Sequence, residues 1–575
     1  MPTYNFNIND FNKVITGQKV TIKELEEKLP TMAVPVDNVE ENTINVEVFA
    51  NRPDMLGVEG LAKTFEGFTE RNTSYPEYTV EDTEPIKVIV SKEMENIRPF
   101  IAFTKVTNIS LDDVALQASF TYHEKLHLTH ARNRKKAAIG LYDYKSGNLE
   151  APITFKCVNS DKVRYVPLGE EKEMTLRETL INTPKGRDYA GLVPNDNIPV
   201  LADKNDKILA IIPILNCDES KVTEASDEIF VDVTGTDLDT VLSTFNMVLT
   251  ALADRGAKIH PAIVEYPYDT PRGRIINLPD FSPLIMQIES SYIDKHLGKQ
   301  VSYKEQIKNL KKSRLGVKEL KKGLLEVKIP CYRTDIMHKI DLVEEIAIAY
   351  GFSNFKPTIP NVTTVGEESI WQMMKRRLTN LLIGTGAYEI MTFMLTNEEN
   401  LFTKMELAID YTDVVQIANP MTNLTTVCRN WILPSLMDTL QRNKPHNYPQ
   451  KIFEIAQDTH IDPTSDTNTR DDWKLCYAEA GAGINYNSAR AILSTIELNF
   501  DIRFTIKKPI DDYPYLISGR CGEIYFKDEK IGFIGEIHPK VLHNWDLQVP
   551  VACLEISIRP WLKEIREGLG LPFVA

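Results

Sequence analysis

The sequence predicts a multidomain α+β protein, and three observations carry that expectation. At about 150 residues per domain, 575 residues correspond to roughly four domains. The composition, 42% apolar and 26% charged, supplies ample core for a soluble globular chain and excludes global disorder. Strand-like alternation and helix-like spacing succeed one another along the chain, with no internal repeat and no low-complexity tract.

The first ninety residues alternate short strand signals with one helix. Ile44 to Val48 alternates apolar and polar residues as a half-buried strand does. Val58, Leu61, Phe65 and Phe68 then recur at helical spacing; Pro53 fits the first turn of that helix and Asn51 its cap. Tyr78 to Pro85, acidic and containing proline, reads as a linker. From Lys87 to His260 the texture is mixed, with a strand at Ile229–Val233 and a helix over Leu238–Ala253. A second linker is expected at Tyr266–Arg274. The next segment carries a basic stretch between Lys308 and Lys322 and an acidic helix at Asp341–Tyr350. Beyond Pro357 and Pro360 come a helix at Trp371–Ile383 and then strands with polar turns.

Several classes are excluded. The longest apolar run, Ile208–Leu215, contains Pro213 and falls far short of the eighteen or so residues of a membrane span. The N-terminus has no basic patch followed by a cleavage-type small-residue site, so a cytoplasmic protein is expected. Seven cysteines, scattered between Cys157 and Cys553 without a Cys-x-x-Cys pair, read as reduced thiols. A net charge of −15 argues against the whole surface gripping nucleic acid, and leaves local basic patches able to do so.

The most informative local pattern is Asp335-Ile336-x-x-x-x-Asp341-Leu342-x-Glu344-Glu345. On a helix, Asp341, Glu344 and Glu345 share one face, opposite a stripe of Leu342, Val343, Ile346, Ala347 and Tyr350, and Asp335 lies just upstream. Four like charges so close favour a cation between them, and hard oxygen donors suit magnesium better than zinc. A solvated acidic helix start is the alternative, and spacing alone leaves both open.

Several strings, taken together, resemble the phenylalanyl-tRNA synthetase β-subunit family in its archaeal and eukaryotic form. They are Asn51-Arg52-Pro53-Asp54-Met55-Leu56-Gly57-Val58-Glu59-Gly60; Lys125-Leu126-His127 with Ala138-Ile139-Gly140-Leu141-Tyr142-Asp143; and Ile329-Pro330-x-Tyr332-Arg333-Thr334-Asp335-Ile336, running on to Ala349-Tyr350-Gly351-Phe352. Further along stand Asn419-Pro420-Met421, Arg429-x-x-x-Leu433-Pro434, Phe453-Glu454-Ile455 and Ile534-Gly535-Glu536-Ile537-His538-Pro539. Each is short, but their order spans nearly the whole chain.

The resemblance implies an N-terminal α/β domain at 1–88 and a mixed α/β editing domain at 89–265. It implies a small helix-rich, magnesium-associated domain at 271–357, a class II synthetase-like antiparallel core without catalytic function at 361–560, and a tail at 561–575. It assigns Mg2+ to Asp335, Asp341, Glu344 and Glu345. It places an editing pocket at Leu201, Ala210, Asn216, Asp232 and Thr234. At Ala210 the archaeal pattern more often shows serine, a lost hydroxyl that would weaken editing.

A synthetic site needs arginines aimed at the phosphates of ATP. The Gly-rich candidate Ile531–Glu536 offers Glu536 instead, and Arg429 and Arg520 read more readily as salt-bridge partners. No Walker loop or Rossmann fingerprint is present. Synthesis is therefore expected on an α-subunit that binds ATP and phenylalanine, in an (αβ)2 heterotetramer acting on tRNA(Phe). An added hydroxyl is rejected only about a hundredfold by an apolar pocket, so hydrolysis of mischarged Tyr-tRNA(Phe) is physically sensible. The basic strings Arg132–Lys136 and Lys308–Lys322 are candidate tRNA or protein contacts. The chain shows no sign of the bacterial form's C-terminal anticodon-binding module or of its inserted oligonucleotide-binding-type domain. A free-standing mischarged-tRNA deacylase and a non-editing scaffold subunit are the rival readings.

Overall fold

In the computed structural model, which describes residues 2–510 and 512–568, the chain divides between Ile359 and Pro360 into two compact units. In the first, strands β1 (Thr3–Asn7), β2 (Val36–Glu40) and β3 (Thr43–Glu47) form an antiparallel sheet in the order β1–β3–β2. Period-two burial of Ile44 and Val46 explains β3. Helix α1 (Val58–Phe68) turns Leu61 and Phe65 inward. Pro53 does not open this helix and Asn51 does not cap it. Pro53–Leu56 form a separate 3₁₀ turn, and Gly57 caps α1 without a side-chain bond. The buried fork of Arg52 onto Asp54, with Nε donating to Oδ1 at 2.9 Å and Nη2 to Oδ2 at 2.8 Å, closes that turn on itself. A Cβ at Gly60 would lie 1.9 Å from the Asp54 carbonyl oxygen, so the turn and the helix approach this closely only because residue 60 is glycine.

The middle of the unit supplies β4 (Ile86–Val90), β5 (Phe100–Thr107), α2 (Asp113–Leu128), β6 (Ala137–Asp143), β7 (Ile153–Asn159), β8 (Asn197–Ala202), β9 (Ile208–Ile211), β10 (Leu215–Asn216), β11 (Glu228–Gly235), α3 (Leu238–Asp254), β12 (Lys258–Ile259), β13 (Ala262–Glu265) and β14 (Ile275–Leu278). These build a mixed seven-stranded sheet, β10–β9–β8–β7–β4–β13–β14, and an antiparallel four-stranded sheet, β12–β5–β11–β6. Helix α3 lies on the four-stranded sheet and buries Val241, Phe245, Val248 and Leu249. Burial of β11 on both faces accounts for its consecutive apolar residues Ile229, Phe230 and Val231, and makes the buried Asp232 and Thr234 that follow exceptional. The stretch expected to be a linker at 266–274 is anchored at its start. The Tyr266 hydroxyl donates to the Ile101 carbonyl at 2.9 Å and accepts the Ile101 N–H at 3.0 Å, and both Tyr266 and Tyr268 are buried.

Next come β15 (Leu284–Glu289), α4 (Tyr303–Lys312), β16 (Gly316–Lys321), β17 (Leu324–Ile329) and α5 (Lys339–Tyr350). The strands pair in the order β15–β17–β16, so this segment is not built of helices alone. Part of its basic stretch is used internally: Lys308 and Lys312 pair with Glu70 at 2.9 and 3.1 Å, and Arg314 pairs with Glu66 at 3.3 Å.

The second unit is organised on one sheet. Its elements are α6 (Ile370–Gly384), β18 (Tyr388–Glu389), α7 (Leu433–Arg442), β19 (Gln450–Ile461), β20 (Thr469–Ala480), α8 (Tyr486–Phe500), β21 (Phe504–Lys507), β22 (Leu516–Phe526), β23 (Glu529–Ile537) and β24 (Val551–Ser557). The order is β18–β19–β20–β24–β23–β22–β21, antiparallel except for the β18–β19 pair. Separate apolar clusters cover its two faces, one containing Leu493 and Ile496 of α8 and the other Leu436 and Met437 of α7. Of the tail expected at 561–575, residues 569–575 lie outside the described residues. Its start is anchored: Trp561 is buried in the helix Arg559–Gly568, its ring 5.1 Å from that of Phe504.

Within the first unit a buried ion cluster joins distant segments. Arg255, just past α3, donates from Nη1 and Nη2 to the two carboxylate oxygens of Asp10 at 2.9 and 2.8 Å, and its Nε pairs with Glu59. Removing one partner of a buried pair leaves an uncompensated charge, a cost of about 3–5 kcal/mol. Arg255→Ala is therefore expected to lower the urea midpoint of this unit clearly, as followed by circular dichroism. Lys145→Ala, which breaks an exposed pair with Asp227, serves as the near-neutral control.

Candidate functional site

Asp232 and Thr234 stand two apart on β11 and therefore share a face, and both are buried. The Asp232 Oδ1 accepts from the Tyr142 hydroxyl at 2.7 Å, and its Oδ2 is buried without a hydrogen-bond partner. Arg98 organises the neighbourhood. Its Nε donates to Thr234 Oγ1 at 3.0 Å, and its Nη2 donates to the carbonyls of Thr234 at 2.7 Å and Arg134 at 3.1 Å. Burial pushes the Asp232 carboxyl up to about 7, against the Tyr142 bond and the Arg98 charge. Burial likewise brings Arg98 down to about 9, partly opposed by Asp232. Across the ladder, residue 140 must be glycine, because a Cβ there would lie 2.1 Å from Asp232 Oδ1.

Leu201, Ala210 and Asn216 are cross-strand partners in turn, Leu201 with Ala210 and Ala210 with Asn216, so their side chains share a face of the seven-stranded sheet. Leu201 and Ala210 enter the same apolar cluster as Tyr142 and Phe230, whereas Val200 and Ala202 enter the cluster on the other side. The Asn216 Nδ2 donates to the Leu141 carbonyl at 3.0 Å and so reaches β6. The five sequence-expected pocket residues are thus distributed over the two sheets. Leu201, Ala210, Asp232 and Thr234 are covered, and Asn216 lines an open cavity of about 340 Å³.

That cavity is built on β6, an edge strand of its sheet. An edge presents backbone groups that need partners. Two are satisfied by side chains: the Ile139 N–H donates to His127 Nε2 at 2.8 Å, and the Leu141 carbonyl accepts from Asn216. In an antiparallel strand the N–H and C=O of one residue point the same way, so the Ile139 carbonyl and the Leu141 N–H between them also face away from β11. Both residues line the cavity, together with His123, Glu124 and His127 of α2 and with Arg134. The Arg134 guanidinium donates to the carbonyls of Pro213 and Ile214 at 3.1 and 3.0 Å and to Glu124 at 2.9 Å.

Arg132, Asn133 and Arg134 hold φ of +49°, +53° and +62°, three successive left-handed residues without a glycine. Such strain costs on the order of 1–3 kcal/mol per residue and collects where a side chain must be aimed. Of the basic string 132–136, Arg134 is thus a buried wall residue, while Arg132 and Lys135 are exposed. Sequence reasoning did not single out His123, Glu124 or Arg134 as site residues. The i, i+4 histidines flanking an acid were the available signal.

The acidic cluster is more divided than its spacing indicates. Arg333 donates from Nε and Nη2 to the two oxygens of Asp335 at 2.8 and 2.6 Å, and from Nη2 to Glu345 Oε1 at 2.6 Å. Burial would raise Asp335, but Arg333 outweighs it and holds the carboxyl below its usual range. Asp341 folds back on the helix start, its Oδ2 accepting the N–H groups of Met337 and His338 at 2.8 and 2.7 Å. Glu344 is pushed above the usual range, by partial burial first and then by Glu345, Asp341 and Asp335. Among the described residues, no three His, Cys, Asp or Glu side chains surround a common cation position. The donor set still suits a hard cation in chemistry: four carboxylates against Arg333, with Arg52 acting on Asp335 as well, leave excess negative charge, and Glu344 shows its effect.

In the second unit the two arginines singled out from the sequence are paired within the protein. Arg429, buried, donates to Thr392 Oγ1 at 2.6 Å and to Glu454 Oε1 at 3.1 Å. Arg520 donates to Glu536 Oε2 at 2.8 Å, while Glu536 Oε1 accepts the Tyr486 N–H at 2.9 Å.

Comparison with known proteins agrees along the whole chain. Residues 286–352 match the tRNA synthetase B5 domain, and residues 356–558 match the phenylalanyl tRNA synthetase beta chain CLM domain. A phenylalanine–tRNA ligase beta subunit of Methanococcus maripaludis is 36% identical over 575 residues, covering 97% of this chain and all of the relative. That of Pyrococcus furiosus is 34% identical over 567 residues, with the same coverage. A crystal structure of an N-terminal fragment of the phenylalanyl-tRNA synthetase beta-subunit from Pyrococcus horikoshii superposes with a TM-score of 0.57 at 30% identity, covering 61% of this chain and 99% of the fragment. The chain belongs to the phenylalanine–tRNA ligase beta subunit family, and is a subunit of that ligase of translation.

Proposed function

We propose that this chain works in the cytoplasm beside an alpha subunit, in an (αβ)2 heterotetramer. In this reading the alpha subunit binds ATP and phenylalanine and attaches phenylalanine to tRNA(Phe). The 361–560 region would be a class II synthetase-like core without synthetic function. The observation that carries this division is the fate of Arg429: buried and neutralised by Glu454 of its own unit, it is not free to meet a polyphosphate, and the more exposed Arg520 is paired with Glu536, whose carboxylate opposes an anion there. The isolated chain is expected to give no phenylalanine-dependent ATP–pyrophosphate exchange, with exchange appearing when the alpha subunit is added.

The second activity proposed is hydrolysis of mischarged Tyr-tRNA(Phe) in the 89–265 region, with Leu201, Ala210, Asn216, Asp232 and Thr234 forming or backing the pocket. Asp232 supports it: a carboxyl that changes charge near pH 7, with one oxygen unpartnered, is suited to holding an ammonium or orienting a water. The covering of Asp232 and Thr234 favours the rival reading of a non-editing scaffold, and deacylation separates the two. Asp232→Ala is expected to spare phenylalanine charging and let Tyr-tRNA(Phe) persist about tenfold longer or more, read by release of labelled tyrosine. Unchanged release would remove Asp232 from the site.

The same carboxyl has a stability signature. Its folded-state value of about 7 lies above the unfolded value of about 3.9, so the folded chain holds the proton more tightly. Stability from this group is complete below about pH 4 and is lost as pH rises through 7. In Asp232→Asn that part of the pH dependence of the melting temperature is expected to vanish.

Mg2+ is proposed to be held by Asp335, Asp341, Glu344 and Glu345, with retained waters spanning what the side chains do not reach. When bound, the ion would neutralise the carboxylates and stiffen the start of α5. Glu344→Gln with Glu345→Gln is expected to lower the magnesium retained by the complex after desalting, measured by elemental analysis. Undiminished magnesium would return this face to a solvated acidic helix start.

A further inference from the structure

The turn 129–136 joins α2 to β6 and carries the cationic side chains Arg132, Arg134, Lys135 and Lys136, in a chain of net charge −15. It is held from within and from outside. The Ala131 N–H donates to the Leu126 carbonyl at 2.9 Å, and the Lys136 N–H to the Ala131 carbonyl at 3.0 Å. Just past β11, the Thr236 hydroxyl donates to the Lys135 carbonyl and the Thr236 N–H to the Lys136 carbonyl, both at 3.1 Å. A Cβ at Gly235 would lie 2.0 Å from the Lys136 carbonyl oxygen, so the turn sits on the end of β11 as closely as glycine allows. The left-handed φ of Arg132, Asn133 and Arg134 is therefore imposed by the surroundings, since none of the three is glycine.

The effect of this backbone is to divide the cations. Arg134 is buried, and Lys136 meets Asp237 at 3.5 Å. Arg132 and Lys135 are exposed, and among the described residues their side chains have no hydrogen bond or ion pair. Unpaired cations on a rigid turn lose little freedom on meeting an anion. Beside them opens a cleft of about 620 Å³. His130 enters it from the turn, Ser243 and Asn246 enter it from α3, and Leu284, Pro330 and Met337 give it an apolar side. Its acids Asp239 and Asp280 flank Arg272 at 4.0 and 3.6 Å, in exposed pairs that exchange partners at little cost. Polar and apolar walls next to fixed cations suit unpaired nucleotides, whose backbone is charged and whose bases present flat faces and polar edges. An acidic peptide would use the cations and leave the apolar side idle.

We propose that this turn and cleft bind the unpaired 3′ end of tRNA(Phe), with Arg132 and Lys135 on its phosphates and its bases along the cleft. The inference rests on the reading of tRNA(Phe) as partner, and it concerns the cleft lined by His130, not the α2–β6 cavity lined by Arg134.

The test uses the complex with its alpha subunit and tRNA(Phe) carrying photoreactive thiouridine among its unpaired 3′ nucleotides. Cross-linked peptides of this chain are identified by mass spectrometry, and those of the turn or of the cleft wall are expected to carry the RNA. Arg132→Gln with Lys135→Gln should cut that cross-linking about tenfold, whereas Arg132→Lys with Lys135→Arg, which keeps both charges, should preserve it. Both positions are exposed, so the fold is not at stake. Salt dependence gives a second readout. Two phosphate contacts, at about 0.7 each for a single strand, predict a slope of log affinity against log salt shallower by about 1.4 in the Gln variant. Cross-linking and slope unchanged in that variant would overturn the proposal. So would the absence of any cross-link to the turn or cleft in a complex that binds tRNA(Phe), or equal labelling there from thiouridine placed in the anticodon loop; each leaves the partner itself intact. Failure of the unsubstituted complex to bind tRNA(Phe) would remove both readings. Polyglutamate displacing the RNA from the turn as well as unlabelled tRNA(Phe) does would assign the surface to an acidic protein instead.

Discussion

The open edge of β6 is the constraint on which the first unit's site depends. A strand that closes a sheet within a packed protein leaves a row of N–H and C=O groups turned from its partner, and each needs a hydrogen bond. Here α2 answers with His127 and β10 answers with Asn216, so one helix and one distant strand are tied to the same edge. The space held between those ties is the cavity. Its shape follows from satisfying the backbone, and its chemistry follows from what that leaves over: a histidine whose second nitrogen has nothing to do within the protein.

Charge burial sets the rest. In β11 a carboxylate, and just before β5 an arginine, are withdrawn from water together. Burial moves Asp232 and Arg98 in opposite directions, each toward its neutral form, and the attraction between them recovers only part of the cost. The second unit solves the same problem differently. Arg429 and Glu454 neutralise each other, and Lys474 lies between Asp458 and Glu555, so its buried charges have charged partners at hand. The residue types that activate an amino acid elsewhere are spent here on holding a sheet together.

Much of this was readable along the chain, because periodicity reports burial directly. The apolar run of β11, the helix α3 and the stripe on α5 follow from local sequence, and so does the pairing of Arg429 and Arg520 with acids, since no Gly-rich segment presented them to a phosphate. What could not be read depends on partners far away in the chain. Glu345 borders the apolar stripe of α5 and is drawn inward only because Arg333 waits there; Asp341 is turned from the acidic face by the unpaired N–H groups of the helix start. Tyr266 appeared to belong to a linker because two prolines follow it, yet its hydroxyl closes on Ile101 of β5. The role of His127 required knowing that β6 lies at an edge, a fact of sheet order with no local signature.

The distribution of unmet polar atoms then separates scaffold from site. Buried atoms without a partner are costly, and native chains keep them where something else supplies the bond. Asp254 Oδ2 and Asp458 lack hydrogen-bond geometry, but each faces a lysine, so electrostatics compensates them within the fold. The Arg134 guanidinium, though its Nε is unmet, is paired with Glu124 at 2.9 Å, whereas His127 Nδ1 and Asp232 Oδ2 have no partner so close, and all three lie on or beside β6 and β11. Strain, desolvation and missing partners meet in one place, over a glycine that keeps a carboxylate from colliding with the next strand. A fold under no functional demand would relieve these costs one at a time by ordinary substitution. Those at His127 and Arg134 fall on one cavity wall, with the covered Asp232 on the neighbouring strand, and a ligand with matching polar groups would offset them.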